Sequence, residues 1–126
     1  MSTIQVRHKI EKDLASIVSA SKDVNEYLKE CKKYLHSHTH RQHSSKRKQN
    51  QLTRVVLDYC EIVYNVKTNI DQYLKMALKI ETSENIDMPQ KSQHIATIAD
   101  RVNDETIKAF RATVDASFVG IDDEEI

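Results

Sequence analysis

The sequence predicts an all-helical fold, and three observations predict it. Among 126 residues there is one glycine, Gly120, and one proline, Pro89, whereas hairpin-rich and βα-repeating chains need both residue types at their tight corners. Apolar residues recur at alternating steps of four and three over three long stretches, which is the period of one helix face. Charged residues make up 30% of the chain and aromatics only 6%, the balance expected of long helices whose outer faces are wet. A chain of this length makes one domain with a modest core.

The first element is carried by "IEKDLASIVSASKDVNEYLKECKKYL", where Ile10, Leu14, Ile17, Ser21, Val24, Leu28, Cys31 and Leu35 form a heptad seam. Ser2 and Gln5 have the spacing of a capping box, so the helix is expected to start near Thr3 and to end near His36. The second, "LTRVVLDYCEIVYNVKTNIDQYLKMALKI", repeats the pattern more strictly through Leu52, Val56, Tyr59, Val63, Val66, Ile70, Tyr73, Ala77 and Ile80. Val55, Ile62 and Met76 flank this seam on one side and Cys60 and Leu74 on the other. The stripe is wider than a two-stranded coiled coil uses and suits a helix inside a bundle.

Next comes "ETSENIDMPQ", an acidic linker over residues 81–90, with Asp87 placed as an N-cap, Pro89 in a first turn and Gln90 as capping partner. The third element, within residues 91–126, has a looser seam of Ile95, Ile98, Val102, Thr106, Phe110, Val114 and Phe118, with Ala99, Ala109 and Ala112 nearby. Gly120 is its expected C-cap before the acidic finish "IDDEEI".

Folding the first two helices back on each other over residues 1–80 sets Leu35 level with Leu52, Leu28 with Tyr59, Ile17 with Ile70 and Ile10 with Ala77. Cys31 then faces Val56, about one turn or roughly 5.4 Å from Cys60, and both are expected to be reduced thiols packed as small apolar groups. A hairpin alone does not cover stripes this wide. Each large apolar side chain left in water forgoes roughly 1.5–3 kcal/mol, and a few of them use up most of a small domain's stability. Either the third helix supplies the cover within the chain, or a partner's helical hairpin completes a four-helix bundle.

Formal net charge is zero, which gives no general case for nucleic acid or an anionic membrane. Locally, residues 36–51 are a His-rich basic loop holding His36, His38, His40 and His43 with Arg41, Lys46, Arg47 and Lys48, and no acid. Imidazoles suit several metals, but this spacing, with no cysteine or acid nearby, matches none of the usual zinc sites. Four charges in a short loop attract nucleic acid weakly, and no interleaved aromatic offers a stacking platform. The expected role is a solvated connection. A Gly-rich phosphate loop, a nucleophile motif and HExxH are all missing, and His8 and His94 fall on predicted helix surfaces. A non-enzymatic protein without metal or cofactor is expected. No apolar run approaches the ~20 residues that span a bilayer, the charged N-terminal stretch is unlike a signal peptide, and two cysteines make no disulfide framework. These features lead us to expect a cytosolic or nuclear location.

The order of residues adds a resemblance. "HKIEKDLASIVSASKDV", through Lys9, Ile10, Asp13, Leu14, Ser16, Ile17 and Val24, resembles the first helix of the Mediator complex subunit 22 (Surfeit locus protein 5) family. "VKTNIDQYLKM" is similar to that family's second helix at Val66, Thr68, Asn69, Ile70, Gln72, Tyr73 and Leu74, and "IKAFRATVDASFVGIDDEE" to its C-terminal helix with an acidic end. The basic His-rich stretch departs from the linker of that family. The resemblance implies a nuclear scaffold subunit of the Mediator head module, a coactivator of RNA polymerase II transcription. It further implies a four-helix bundle with the hairpin of Mediator subunit 11, and docking of the C-terminal helix on Mediator subunit 17. Ile17, Val24, Leu28, Val63, Val66, Ile70 and Tyr73 would form the shared core, and Phe110, Val114 and Phe118 the second contact. The alternative is a self-contained three-helix module of membrane trafficking, like a syntaxin regulatory bundle or a lysosome-positioning complex subunit.

Overall fold

The computed structural model describes residues 2–40 and 46–120, leaving aside the side chain of His40. Among these residues the fold is all-helical: α1 spans Thr3–His40, α2 spans Lys46–Thr82 and α3 spans Met88–Phe118. With 38, 37 and 31 residues, the helices are rods of about 45–57 Å at 1.5 Å per residue. Each packs against both of the others. The third helix therefore covers the hairpin from within the chain.

The local signals for helix ends act as expected at three places. At the start of α1 the Ser2 backbone N–H donates to Gln5 Oε1 (3.0 Å) and the Gln5 N–H to Ser2 Oγ (3.2 Å), so two of the helix's unsatisfied donors are met reciprocally. At α3 the Gln90 N–H donates to Asp87 Oδ1 at 3.0 Å, with Pro89 in the first turn. Its far end closes at Val119, followed by Gly120 at φ +78°, a conformation that only glycine adopts without strain.

Four boundaries differ from the expectation, two of them at the turn of the hairpin. α1 continues four residues beyond His36, and α2 begins at Lys46, six residues before Leu52. Residues 36–51 are thus mostly helix, and only 41–45, which include Arg41 and His43, fall outside the described residues. Within this stretch, residues 36–40 and 46–51 contain no glycine or proline, so neither flank carries a helix breaker. Polar side chains also serve its ends: Thr39 Oγ1 donates to the His36 carbonyl (2.8 Å), and Gln49 Nε2 bridges from α2 to the carbonyls of His38 (3.3 Å) and Thr39 (3.0 Å). The acidic linker is likewise shorter than residues 81–90, because α2 runs to Thr82 and α3 starts at Met88.

The core holds the predicted seams of α1 and α2, with Ile17, Val24, Cys31, Val56, Val63, Ile70 and Ala77 fully buried and Val66 nearly so. In α3 the buried face is Ile95, Ile98, Val102, Ala109, Ala112, Thr113 and Ala116. The expected seam holds as far as Val102 and then shifts phase. Alanines, not Phe110 and Phe118, turn inward over the last three turns. Small side chains let α3 approach the hairpin closely where the inner faces of α1 and α2 already fill the interior, and aromatic rings there would overpack it.

Candidate protein-interaction surface

The ten side chains proposed above as a partner interface divide sharply. Ile17, Val24, Leu28, Val63, Val66 and Ile70 are buried in the chain's own core, and Tyr73 is half-buried at its edge. Reaching them from outside would mean displacing α3. Phe110 and Phe118 are 51% and 64% exposed, and Val114 is half-buried.

These last three belong to a stripe whose fourth member, Ile107, the sequence reading did not single out. Ile107 is 44% exposed, and Ile107, Phe110, Val114 and Phe118 follow one another at steps of three and four, so they lie on one face of α3. The stripe was legible as a second apolar phase starting at Ile107. Phe110, Val114 and Phe118 look like a seam in the sequence because they are bulkier than the alanines that carry the inward phase. Phe110 keeps one edge in contact with the protein, its ring meeting Tyr27 of α1 edge to face at a centroid distance of 5.7 Å. The remainder of the ring faces water.

Beside the stripe a shallow, mainly apolar cleft runs between α2 and α3, lined by Tyr59, Ile62, Ile107 and Ala112 with Asp104, Lys108, Arg111 and Asp115 at its rim. Val55 and Met76, 40% and 50% exposed, stand on the flank of α2 that carries Ile62. The four rim charges make no ion pair among the described residues, although they stand at helical i, i+4 spacing. Their charges remain available to whatever approaches.

Among the described residues, the interior between the three helices carries a polar cluster around its two cysteines. Cys31 and Cys60 are free and buried, and the Cys31 thiol donates to Thr113 Oγ1 at 3.6 Å, whose own hydroxyl donates to the Ala109 carbonyl at 2.9 Å. Burial pushes the Cys60 thiol up to about 12, helped by the adjacent Cys31, and burial also raises Cys31 against the opposing effect of its hydrogen bond with Thr113. Thiols held protonated in this way are poor nucleophiles and poor metal ligands. They pack as small apolar groups, as expected. The third member, Thr113, was not anticipated, because nothing in the sequence brings α3 to this level of the hairpin.

His38 is only 5% exposed, which a solvated connection would not produce. It lies under the end of α3, where a Cβ on Gly120 would come within 3.1 Å of its ring and 3.3 Å of Leu52. His36, with Lys29, Lys32 and Lys33, lines an open basic surface on α1. Among the described residues no group of three or more His, Cys, Asp or Glu side chains is placed to hold a metal ion. Nor is any described helix long and apolar enough to cross a membrane. His8 and His94 are exposed.

No protein-family model, curated protein or solved structure matches the chain.

Proposed function

We propose that this chain is a non-enzymatic scaffold subunit that joins a larger assembly through the outer face of α3. The observation that carries the reading is the placement of Phe110 and Phe118, 51% and 64% exposed, while Ala109, Ala112 and Ala116 occupy the inward positions. A helix that packs with its small residues and turns its phenylalanines outward has apolar surface to give to a partner.

The sequence resemblance of the three helices to the Mediator subunit 22 family supports one candidate assembly, the Mediator head module, a nuclear coactivator of RNA polymerase II. Because α3 covers the hairpin, a helix from Mediator subunit 11 would make its four-helix packing in the α2/α3 cleft of Tyr59, Ile62 and Ile107. The Phe110, Val114 and Phe118 stripe is then left for Mediator subunit 17. In the other arrangement the partner hairpin takes the place of α3 and meets Ile17, Val24, Leu28, Val63, Val66, Ile70 and Tyr73 directly. A second reading, the self-contained module of membrane trafficking, is favoured by the same internal cover, since a chain that buries its own seams needs no partner to fold.

Sedimentation equilibrium on the purified chain, alone and co-expressed with Mediator subunit 11, separates these readings. A stable 1:1 complex that Ile62→Asp disrupts and His36→Ser leaves intact supports the coactivator subunit. A well-folded chain indifferent to that subunit overturns it in favour of the self-contained module.

A further inference from the structure

The outer face of α3 carries two patterns with one centre, and we propose that through it two copies of this chain pair antiparallel, α3 against α3. The inference rests on reading this face as a docking surface and names the occupant it takes in the isolated chain, a second copy that a partner subunit would displace on assembly. In an antiparallel pair with a two-fold axis, each residue meets its mirror position along the partner helix. The apolar stripe is symmetric in this sense to within one residue at the level of Ala112: Phe110 comes opposite the second copy's Val114, and Ile107 falls one residue, about 1.5 Å, from the level of its Phe118.

The charges at the rim of the same face share that centre. With the axis at Ala112, Lys108 lies within one residue of the level of the second copy's Asp115, about 1.5 Å along the helix, and Arg111 lies within one turn of the same carboxylate. The two Arg111 side chains approach each other near the axis, each with an Asp115 beside it. Asp104 falls opposite the end of the partner helix, away from Asp115. A pairing centred three residues earlier would set Asp104 against Asp115 and break the apolar matches. One register therefore satisfies both patterns. All four charged groups are exposed and unpaired within the described residues, so no internal ion pair has to be given up.

The stripe spans eleven steps of α3, about 17 Å at 1.5 Å per residue, and a helix is about 10 Å across, so the pair covers a few hundred Å² at most, well under the roughly 1,200 Å² that a stable interface buries. Association is consequently weak, visible at high concentration, and reduced by salt.

The test is sedimentation equilibrium of the full chain at low ionic strength, for the wild type and for Lys108→Asp, Asp115→Lys and Phe110→Ser, with circular dichroism confirming helix content. The wild type should dimerise. Lys108→Asp and Asp115→Lys should each self-associate at least tenfold more weakly, while an equimolar mixture of the two recovers association, because each then meets its opposite charge. Phe110→Ser should lose it. A wild type that stays monomeric at millimolar concentration overturns the pairing, as do charge variants that self-associate like the wild type. In that event, capture of a co-expressed helical subunit decides the docking reading separately: capture lost with Phe110→Ser leaves the face a docking surface for a foreign helix, and capture unchanged removes that reading too.

Discussion

The two halves of α3 use their residues in opposite ways. From Ile95 to Val102 the large aliphatics point inward, Ile95 fully buried and Val102 nearly so, and polar residues such as Asp100 and Arg101 face water. From Ile107 to Phe118 alanines point inward while Ile107, Phe110 and Phe118 stand 44%, 51% and 64% exposed. The first half has the composition of a helix that holds a fold. The second holds the fold with its backbone close to the hairpin and keeps apolar surface outside, a pattern that stability alone does not require.

Substitutions can break this contrast at both ends, and the largest effects are expected in the core. Ile70→Asp places an unpaired carboxylate at a fully buried position and should abolish cooperative melting. Ile95→Ala, in the inward-aliphatic half, should cost about 2–5 kcal/mol through the cavity it leaves, read as a lowered midpoint in urea denaturation. In the second half the sign of the volume change reverses. Ala112→Leu should destabilise by about 1–3 kcal/mol through overpacking, whereas Phe110→Ser, at 51% exposure, should cost about 1–2.5 kcal/mol, from the half of the ring that is covered and its edge-to-face pair with Tyr27. A Phe110→Ser chain as unstable as Ile95→Ala would erase the distinction between the halves.

Smaller effects sharpen the picture near the chain's polar interior and the end of α3. Gly120→Ala should destabilise by about 1 kcal/mol or more, since φ +78° strains any side chain and the new Cβ meets the His38 ring. The buried thiols predict a pH dependence. Cys60 stands near 9.0 when unfolded and about 12 when folded, so its contribution is complete below pH 9 and is lost as pH rises from there toward 12, because the unfolded chain releases its proton first. Melting temperatures should accordingly fall less between pH 8 and 10.5 for a Cys31→Ala/Cys60→Ala chain than for the wild type. Equal slopes would show that the thiols are solvated.

Much of this architecture can be read from the sequence because it is periodic. The seams of α1 and α2 repeat at steps of four and three for over seven turns, and the capping residues Ser2, Gln5, Asp87 and Gln90 form their hydrogen bonds where their spacing puts them. What escaped reading has physical causes. The helix extensions into 36–51 depend on long polar side chains such as Gln49 bonding across the hairpin, which periodicity does not register. The phase shift in α3 depends on the space left by two other helices, so Ala109, Ala112 and Ala116 outcompeted larger residues that look more like a seam. Burial of His38 depends on where α3 ends in space. The choice between internal cover and a partner's hairpin depends on tertiary packing, which no single stretch encodes.

That choice is the central claim: α3 completes the fold of its own chain. Hydrogen exchange on the isolated chain tests it most directly, because amides opened only by global unfolding share one high protection level. The account predicts that the amides of Ile95 through Ala116 are protected as strongly as those around Ile17 in α1 and Ile70 in α2. Exchange of the α3 amides within seconds, with α1 and α2 still protected, would contradict it and show that the hairpin finds its cover elsewhere.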